Sequence, residues 1–428
     1  MKKISVFLAI IFIFVSIILF QNNKETINGL VLYESEVSTY NDLRKHLKKE
    51  LNINLKIDYV VDDSNIAEFD DFWKYTREKL ELKLKTENID LLLDIPNEYL
   101  REYIDNDKLL KLDNSIDTSN IYTSILDKSK SIGNGNIYFI SPYFSTNFLI
   151  INTNLLNSLN ISIPSEITFW EDTLDILDDI KDALEKNNIN DAYPLSLGLN
   201  GIESFFQDFE VLSRPLNLPI KSNDTIYENE NWFDIFSFFM NLYKDYSINK
   251  EEYTPELFIN GKIAMKFVQG SEISLYKDHM EKYKVFEVPH FENFEKQNFF
   301  STLDISIPQN AKNKELALRT LNYFMSKEFA YENIDNYIFG GYDRKIFTSY
   351  VDNEILNKYK AKYNLDNPKV IYSNVGGYAN IDEFKLFNDY VNFQTSSREV
   401  IPNIINGDIS IYNGFCDIKK RYLKYSKS

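Results

Sequence analysis

An α/β fold in two lobes is what this sequence predicts, on three observations. Short apolar runs of strand character alternate with amphipathic helical stretches from Gly29 to Asp94, the pattern of strand–helix–strand units with parallel pairing. The chain has 428 residues, whereas single domains usually hold about 100–200, so two lobes fit it better than one. The segment from Asn136 to Leu156, NIYFISPYFSTNFLIINTNLL, reads as two strands around a Ser141-Pro142-Tyr143 break. Such a break marks a place where a chain changes direction or passes from one domain to another.

Composition narrows the function classes. Hydrophobic residues make up 44%, enough for two sizeable cores. The net charge is −17, so a nucleic-acid partner, which needs a positive surface, is not expected. Cys416 is the single cysteine, which rules out an internal disulfide and a cysteine-based metal site. The histidines are His46, His279 and His290; no two stand at helical i, i+4 spacing, so no histidine metal site is expected. Neither a Gly-x-Ser-x-Gly elbow nor a phosphate-binding glycine loop occurs. Acidic pairs such as Asp62-Asp63, Asp70-Asp71 and Asp178-Asp179 are expected as solvated faces in a chain this acidic. No catalytic residue, metal or cofactor is therefore predicted.

The elements follow in order. Met1-Lys2-Lys3 precedes Ile4 to Phe20, apolar apart from Ser5 and Ser16. A positive start followed by an apolar run is an export signal, and this run just reaches the length of a spanning helix. It is read as an uncleaved membrane anchor, with a cleaved signal peptide as the alternative, and Lys2 and Lys3 place the rest of the chain outside. Gly29 to Tyr33 reads as the first strand, with Glu34 to Ser38 as its polar exit. Tyr40 to Leu51 and Phe69 to Leu84 read as helices, Ile53 to Val61 and Asn88 to Asp94 as strands. Gly133 to Asn136 reads as a turn. Thr168, with Glu171 three residues on, reads as the cap of a helix reaching Leu184. Ser204 to Leu212, Trp232 to Tyr243 and Lys314 to Met325 are further helices. Leu257 to Val268 is a helical turn into a strand, and Val285 to Val288 and Ser301 to Ile307 are strands. The tail from Ile381 reads as helical pieces broken at Pro402 and Gly407.

Three stretches taken together resemble the extracellular solute-binding proteins of ABC importers, in particular the family of maltodextrin-type binders. The first is Tyr138 through Pro142, Phe148 to Asn152, Leu155-Leu156, Pro164 and Thr168-Phe169-Trp170-Glu171. The second is Gly261-Lys262-Ile263-Ala264-Met265 followed by Gly270. The third is Ile307-Pro308, Lys312-Asn313-Lys314-Glu315, Ala317 and Phe324-Met325-Ser326. The likeness runs from about Leu30 to the C-terminus. It implies a type 2 periplasmic-binding-protein-like fold: two lobes, each a mixed sheet flanked by helices, joined by crossing strands and closing on a ligand by rigid-body rotation. On that pattern residues 1–27 are the signal or anchor and 28–140 the first part of lobe I. Residues 141–298 form lobe II, 299–341 return to lobe I, and 342–428 supply C-terminal helices to lobe II.

The resemblance also implies a function: capture of a small solute, most simply a carbohydrate, and delivery to membrane permease subunits, by a monomer at the outer face of the membrane. The chain departs from the family pattern twice. It has no lipobox cysteine, and Gly270 is followed by Ser271-Glu272 where many sugar binders place tryptophan. A cationic or peptide-like solute therefore stays open as an alternative, as does an anchored sensory domain with the same fold.

In open α/β sheets, ligands sit beyond the carboxyl ends of strands, and sugars bind aromatic faces and carboxylate or amide groups. The ligand-binding candidates are thus Glu34 and Ser35 after the first strand, and Asp94 and Asn97 after the Leu91–Leu93 run. Tyr143 and Phe144 stand at the crossing, Phe205 and Phe206 in a helix of lobe II, Glu272 and Tyr276 after the glycine turn, and Tyr378 after Gly376-Gly377. Each has an ordinary structural explanation beside the functional one: a solvated turn for Glu34 and Ser35, a helix cap for Asp94, and core packing for the aromatics.

Overall fold

The computed structural model describes residues 25–63, 72–197, 221–222, 225–226, 229–248, 255–294, 300–336, 338, 346–373 and 395–425. The apolar N-terminal run lies outside these residues. Among them no helix is long and apolar enough to cross a membrane.

The chain begins with β1 (Glu25–Tyr33), a short α1 (Glu34–Val37), α2 (Asn41–Glu50) and β2 (Ile53–Val61). Strands β1 and β2 pair in parallel, Glu25 opposite Ile53 and Tyr33 opposite Val61. β1 is buried on both faces, Ile27 and Val31 in one core and Leu30 and Leu32 in another. That is why it reads as a continuous apolar run and not an alternating one. Helix α3 (Phe72–Thr86) leads to β3 (Leu91–Leu93), then α4 (Asn97–Asp105) and α5 (Thr123–Ile132). Asn134 and Gly135, at φ 51° and 88°, end α5 in the left-handed turn expected there.

β4 (Phe139–Ser145) follows, and β5 (Asn147–Asn152) begins two residues later. The two strands belong to different sheets. β4 joins a six-stranded sheet and β5 a four-stranded one, so the chain crosses between lobes at Thr146. The crossing is thus four residues beyond the predicted proline break. Pro142 lies inside β4, where the register with its antiparallel partner slips between Leu303–Tyr143 and Ile305–Ile140. A β-bulge tolerates a residue with no N–H to give the ladder, so the proline marks a bulge and not the crossing.

Lobe II continues with α6 (Thr153–Ser158), α7 (Asp172–Lys186), β6 (Tyr193–Leu197), the two-residue pair β7 (Lys221–Ser222) and β8 (Thr225–Ile226), α8 (Asn231–Asp245), α9 (Pro255–Ile259), β9 (Ile263–Gln269), α10 (Ile273–Tyr276) and β10 (Tyr283–Phe286). α7 starts four residues later than the predicted Thr168 cap: Asp172, in its first turn, reaches back to accept from the Phe169 N–H at 3.0 Å.

The chain then returns. β11 (Ser301–Ser306) lies antiparallel between β3 and β4, and α11 (Lys314–Phe324), α12 (Lys327–Asn336), β12 (Phe347–Thr348), α13 (Asn353–Tyr363) and α14 (Val370–Ser373) follow. β12 pairs with β4, Phe347 opposite Phe144. The stretch from Ile346 to Ser373 therefore sits with lobe I, although the sequence reading assigned everything after 341 to lobe II. A two-residue strand leaves too little pattern to show its partner. The chain ends in lobe II with α15 (Val400–Ile405) and α16 (Ile411–Tyr425), packed through Val400, Ile404, Ile418 and Tyr422 against Trp232 and Phe236. Pro402 sits in the first turn of α15, where no N–H is missed; Gly407 at φ 80° ends that helix.

The sheets run β12-β4-β11-β3-β1-β2 and β10-β5-β9-β6. A single apolar core runs through the hinge: Phe144, Phe148 and Phe347 share it, with Phe148 edge-on to Phe347 at 5.7 Å.

Candidate functional site

The direction of the strands decides where a ligand sits. β1, β2 and β3 are parallel and end together at Tyr33, Val61 and Leu93. β4 runs in the same direction and extends past that margin: antiparallel β11 pairs Ile305 with Leu93 at the end of β3 and with Ile140 near the start of β4, and Ser301 with Ser145 at the end of β4. In lobe II, β6 runs parallel to β9, and Gln269 at the end of β9 is opposite Asn147 at the start of β5. The carboxyl ends of both parallel sets therefore face the crossing at Thr146, which is where open α/β sheets bind ligands.

Lobe I presents a polar rim there. Glu34 and Ser35 are exposed in the first turn of α1, and the Ser35 N–H donates to Asp63 at 2.7 Å, tying the end of β1 to the end of β2. Glu36 turns back to accept from the N–H groups of Leu32 and Tyr33, both at 3.1 Å. Burial, reinforced by the Glu36 and Asp63 carboxylates, pushes the Tyr33 phenol up to about 12, so it remains a protonated donor at physiological pH. Asp94 is half-buried at φ 55°, and its N–H donates to the Asp304 carbonyl at 2.7 Å. Aspartate is among the few side chains that tolerate this left-handed backbone, which turns the chain sharply into α4. Asn97, the first residue of α4, is 4% exposed. The predicted group Glu34, Ser35, Asp94 and Asn97 is thus brought to one margin of one sheet.

The other described candidates occupy different places. Tyr143 and Phe144 are fully buried. Tyr143 lies edge-on to Phe329 and Phe144 against Phe347 and Tyr372, so both are core residues behind the crossing. Glu272 and Tyr276 also point inward. Glu272 is 5% exposed, pairs with the fully buried Lys266 at 3.1 Å and accepts from the Tyr276 hydroxyl. Tyr276 packs edge-on to Phe258 at 5.0 Å. The carboxylate after the glycine turn is therefore held by a buried ammonium of its own lobe. Phe205, Phe206 and Tyr378 lie outside the described residues.

Sequence reasoning placed the crossing within Asn136 to Leu156 but missed the residues that form it. A Cβ on Gly270 would stand 2.4 Å from both the Thr146 carbonyl oxygen and Ser145 Oγ, so glycine is required where β9 passes against the hinge. Thr146 is 2% exposed and its hydroxyl oxygen has no hydrogen-bond partner among the described residues. Asp304, on β11, joins Lys128 Nζ at 2.7 Å and Ser141 Oγ at 2.5 Å, all three nearly buried. The one signal for this network was an aspartate inside an otherwise apolar and hydroxyl strand, Ser301 to Ile307. Among the described residues, no group of three His, Cys, Asp or Glu side chains is placed to hold a metal.

With this geometry the comparisons become specific. A family profile described as bacterial extracellular solute-binding protein matches residues 68–384, well over half of the chain. The chain belongs to that family. No curated protein matches the solute-binding chain by sequence, but solved structures do match its fold. It resembles the extracellular solute-binding protein family 1 member of Alicyclobacillus acidocaldarius with TM-score 0.66 and 15% identity, covering 94% of this chain and 98% of that one. The sugar-binding protein MalE of Xanthomonas citri gives 0.63 at 13% identity, over 94% and 98%. An ABC substrate-binding protein of Listeria monocytogenes, in complex with cycloalternan, gives 0.61 at 17%, over 95% and 100%. Identities this low carry the fold: the two-lobed, hinge-crossed architecture of this solute-binding family.

Proposed function

We propose that this extracellular solute-binding protein captures a carbohydrate between its lobes and hands it to the permease of an ABC importer. The observation that carries the reading is the convergence of the strand ends of both sheets on the Thr146 crossing, in a chain of this family. Carbohydrate is favoured because the resembling structures include a sugar-binding protein and a cycloalternan complex. The lobe I rim also suits it: a phenol, carboxylates and amides are the groups that hydrogen-bond sugar hydroxyls. The protein acts by capture without catalysis, as a monomer. The apolar segment from Ile4 to Phe20 exports it and holds it at the outer face of the membrane. Residues Glu34, Ser35, Asp94 and Asn97 supply the lobe I side of the site.

Calorimetric titration of the full chain with malto-oligosaccharides, cyclic glucans and polyols tests this reading, and saturable one-to-one binding by at least one of them is expected. Binding of a polyamine or a short basic peptide and of none of the sugars would replace the carbohydrate reading with that of a cationic solute. That second reading draws on the acidic rim formed by Glu34, Glu36, Asp63 and Asp94. Release of product from a glycoside by the purified chain would overturn the non-catalytic part. A permease that gains no transport from the chain would favour the sensory alternative.

A further inference from the structure

A cavity of about 420 Å³ opens between the lobes, beside β10. Its lobe II wall is β10, the loop from Ser165 to Thr168, and the start of the return crossing at Glu287 to His290. Its lobe I wall is the turn after α13, Asn364 to Asn367, together with Val370. That turn leads into α14, which is tied to lobe I through the Tyr372 hydroxyl, a donor to the Thr348 carbonyl of β12 at 2.9 Å. β12 and β10 are the end strands of their sheets, and β1, β2 and β6 lie toward the opposite ends. The cavity therefore flanks the hinge on the side away from those strands.

Its chemistry is uneven. The floor is apolar, formed by Tyr283, Phe286, Val285 and Leu365, while Glu166, Glu287 and Asp366 bring carboxylates from both walls. Among the described lining residues Lys284 is the one lysine, and its ammonium is directed to the carbonyls of Pro164 at 2.7 Å and Ser165 at 3.2 Å. The volume falls inside the range of ~300–1,000 Å³ usual for small-molecule sites. We infer that this cavity is a second binding site, separate from the solute cleft, for an organic ammonium ion with an apolar body.

Because each lobe supplies one wall, rotation of the lobes changes the site, and an occupant has different affinities for the open and closed forms. Occupancy and solute binding are then coupled, and the factor is the same in both directions. The inference goes beyond the carbohydrate reading and does not need it.

The test is calorimetric titration of the full chain with 2-phenylethylamine, cyclohexylamine and tryptamine, with 2-phenylethanol as the neutral match, before and after saturation with maltotriose. One-to-one binding of at least one amine, none of the alcohol, and severalfold weaker binding in Asp366→Asn and in Glu166→Gln are expected. Val285→Trp, which fills the floor, is expected to abolish amine binding, with circular dichroism to confirm that it folds. Lack of saturable amine binding, amine binding unchanged in all three variants, or simple competition between amine and maltotriose overturns the inference. If no sugar binds but an amine still responds to Asp366→Asn, the carbohydrate reading fails and this one stands.

Discussion

At the scale of single residues, the hinge region holds polar groups that are expensive to bury. Lys128 and Asp304 form an ion pair at 2.7 Å with side chains 4% and 5% exposed. Removing one partner of such a pair leaves a buried charge uncompensated, at a cost of about 3–5 kcal/mol. Lys128→Met alone and Asp304→Leu alone should each lose that much in urea unfolding, whereas the double variant should recover most of it. Thr146 presents the opposite case, a buried hydroxyl at the lobe crossing with no partner among the described residues. Thr146→Val removes an unsatisfied group and should stabilise the ligand-free chain, by about 1 kcal/mol. If the hydroxyl is reserved for solute, the same substitution weakens solute binding, and a variant that gains stability with unchanged affinity would refute that role.

At the same scale, His46 should make the stability of the scaffold depend on pH. Its ring meets the Tyr323 hydroxyl at 2.8 Å, faces Glu332 at 3.6 Å and packs on Phe329. Burial holds its pKa below the usual histidine value, against the opposing pull of Glu332 and Glu50. A depressed folded-state pKa means that the unfolded chain takes up the proton first. This contribution to stability is complete above about pH 6.5 and is lost as the pH falls through the folded-state value. Thermal unfolding between pH 7.5 and 5 should therefore show a smaller drop in Tm for His46→Gln than for the parent chain.

At the scale of elements, β4 and β5 matter most, joined by the single residue Thr146 and pressed by Gly270 of the segment after β9. Gly270→Ala places a methyl group 2.4 Å from the Thr146 carbonyl and should cost about 1–3 kcal/mol as an overpacked contact. Because the contact is backbone on the hinge side, solute affinity should fall with it. The buried Lys266–Glu272 pair lies directly behind this turn and explains why Glu272 serves the core of lobe II. From sequence, a charged residue after a glycine turn looks like a site residue. Only the position of Lys266, on the adjoining strand, assigns it to the interior.

At the scale of the whole molecule, two sheets of six and four strands meet across strands that cross between lobes, so the natural motion is rotation about them. Saturation with the true solute should reduce the radius of gyration seen by small-angle X-ray scattering. At a hundredfold excess over Kd it should add about 2.7 kcal/mol to unfolding, read as a rise in Tm. Stabilisation without compaction would indicate a rigid binder and argue against lobe closure.

The sequence by itself determined the α/β class, the order of most strands and helices, the passage between lobes near Asn136 to Leu156, and the placement of Glu34, Ser35, Asp94 and Asn97 just after strand ends. These are local matters. Apolar periodicity, turn residues and strand ends are written into short stretches of chain. The tertiary structure alone decided that Tyr143, Phe144, Glu272 and Tyr276 are interior. It also decided that Pro142 marks a bulge, that Ile346 to Ser373 stays with lobe I, and that the crossing is Thr146 against Gly270. Most of these depend on partners far away in the chain, β11 beside β4 and Phe347 opposite Phe144; Lys266 is near Glu272 in sequence, but only the fold turns the two side chains inward together. The direction in which a side chain points is set by which strand lies next to it, and strand neighbours carry no local trace.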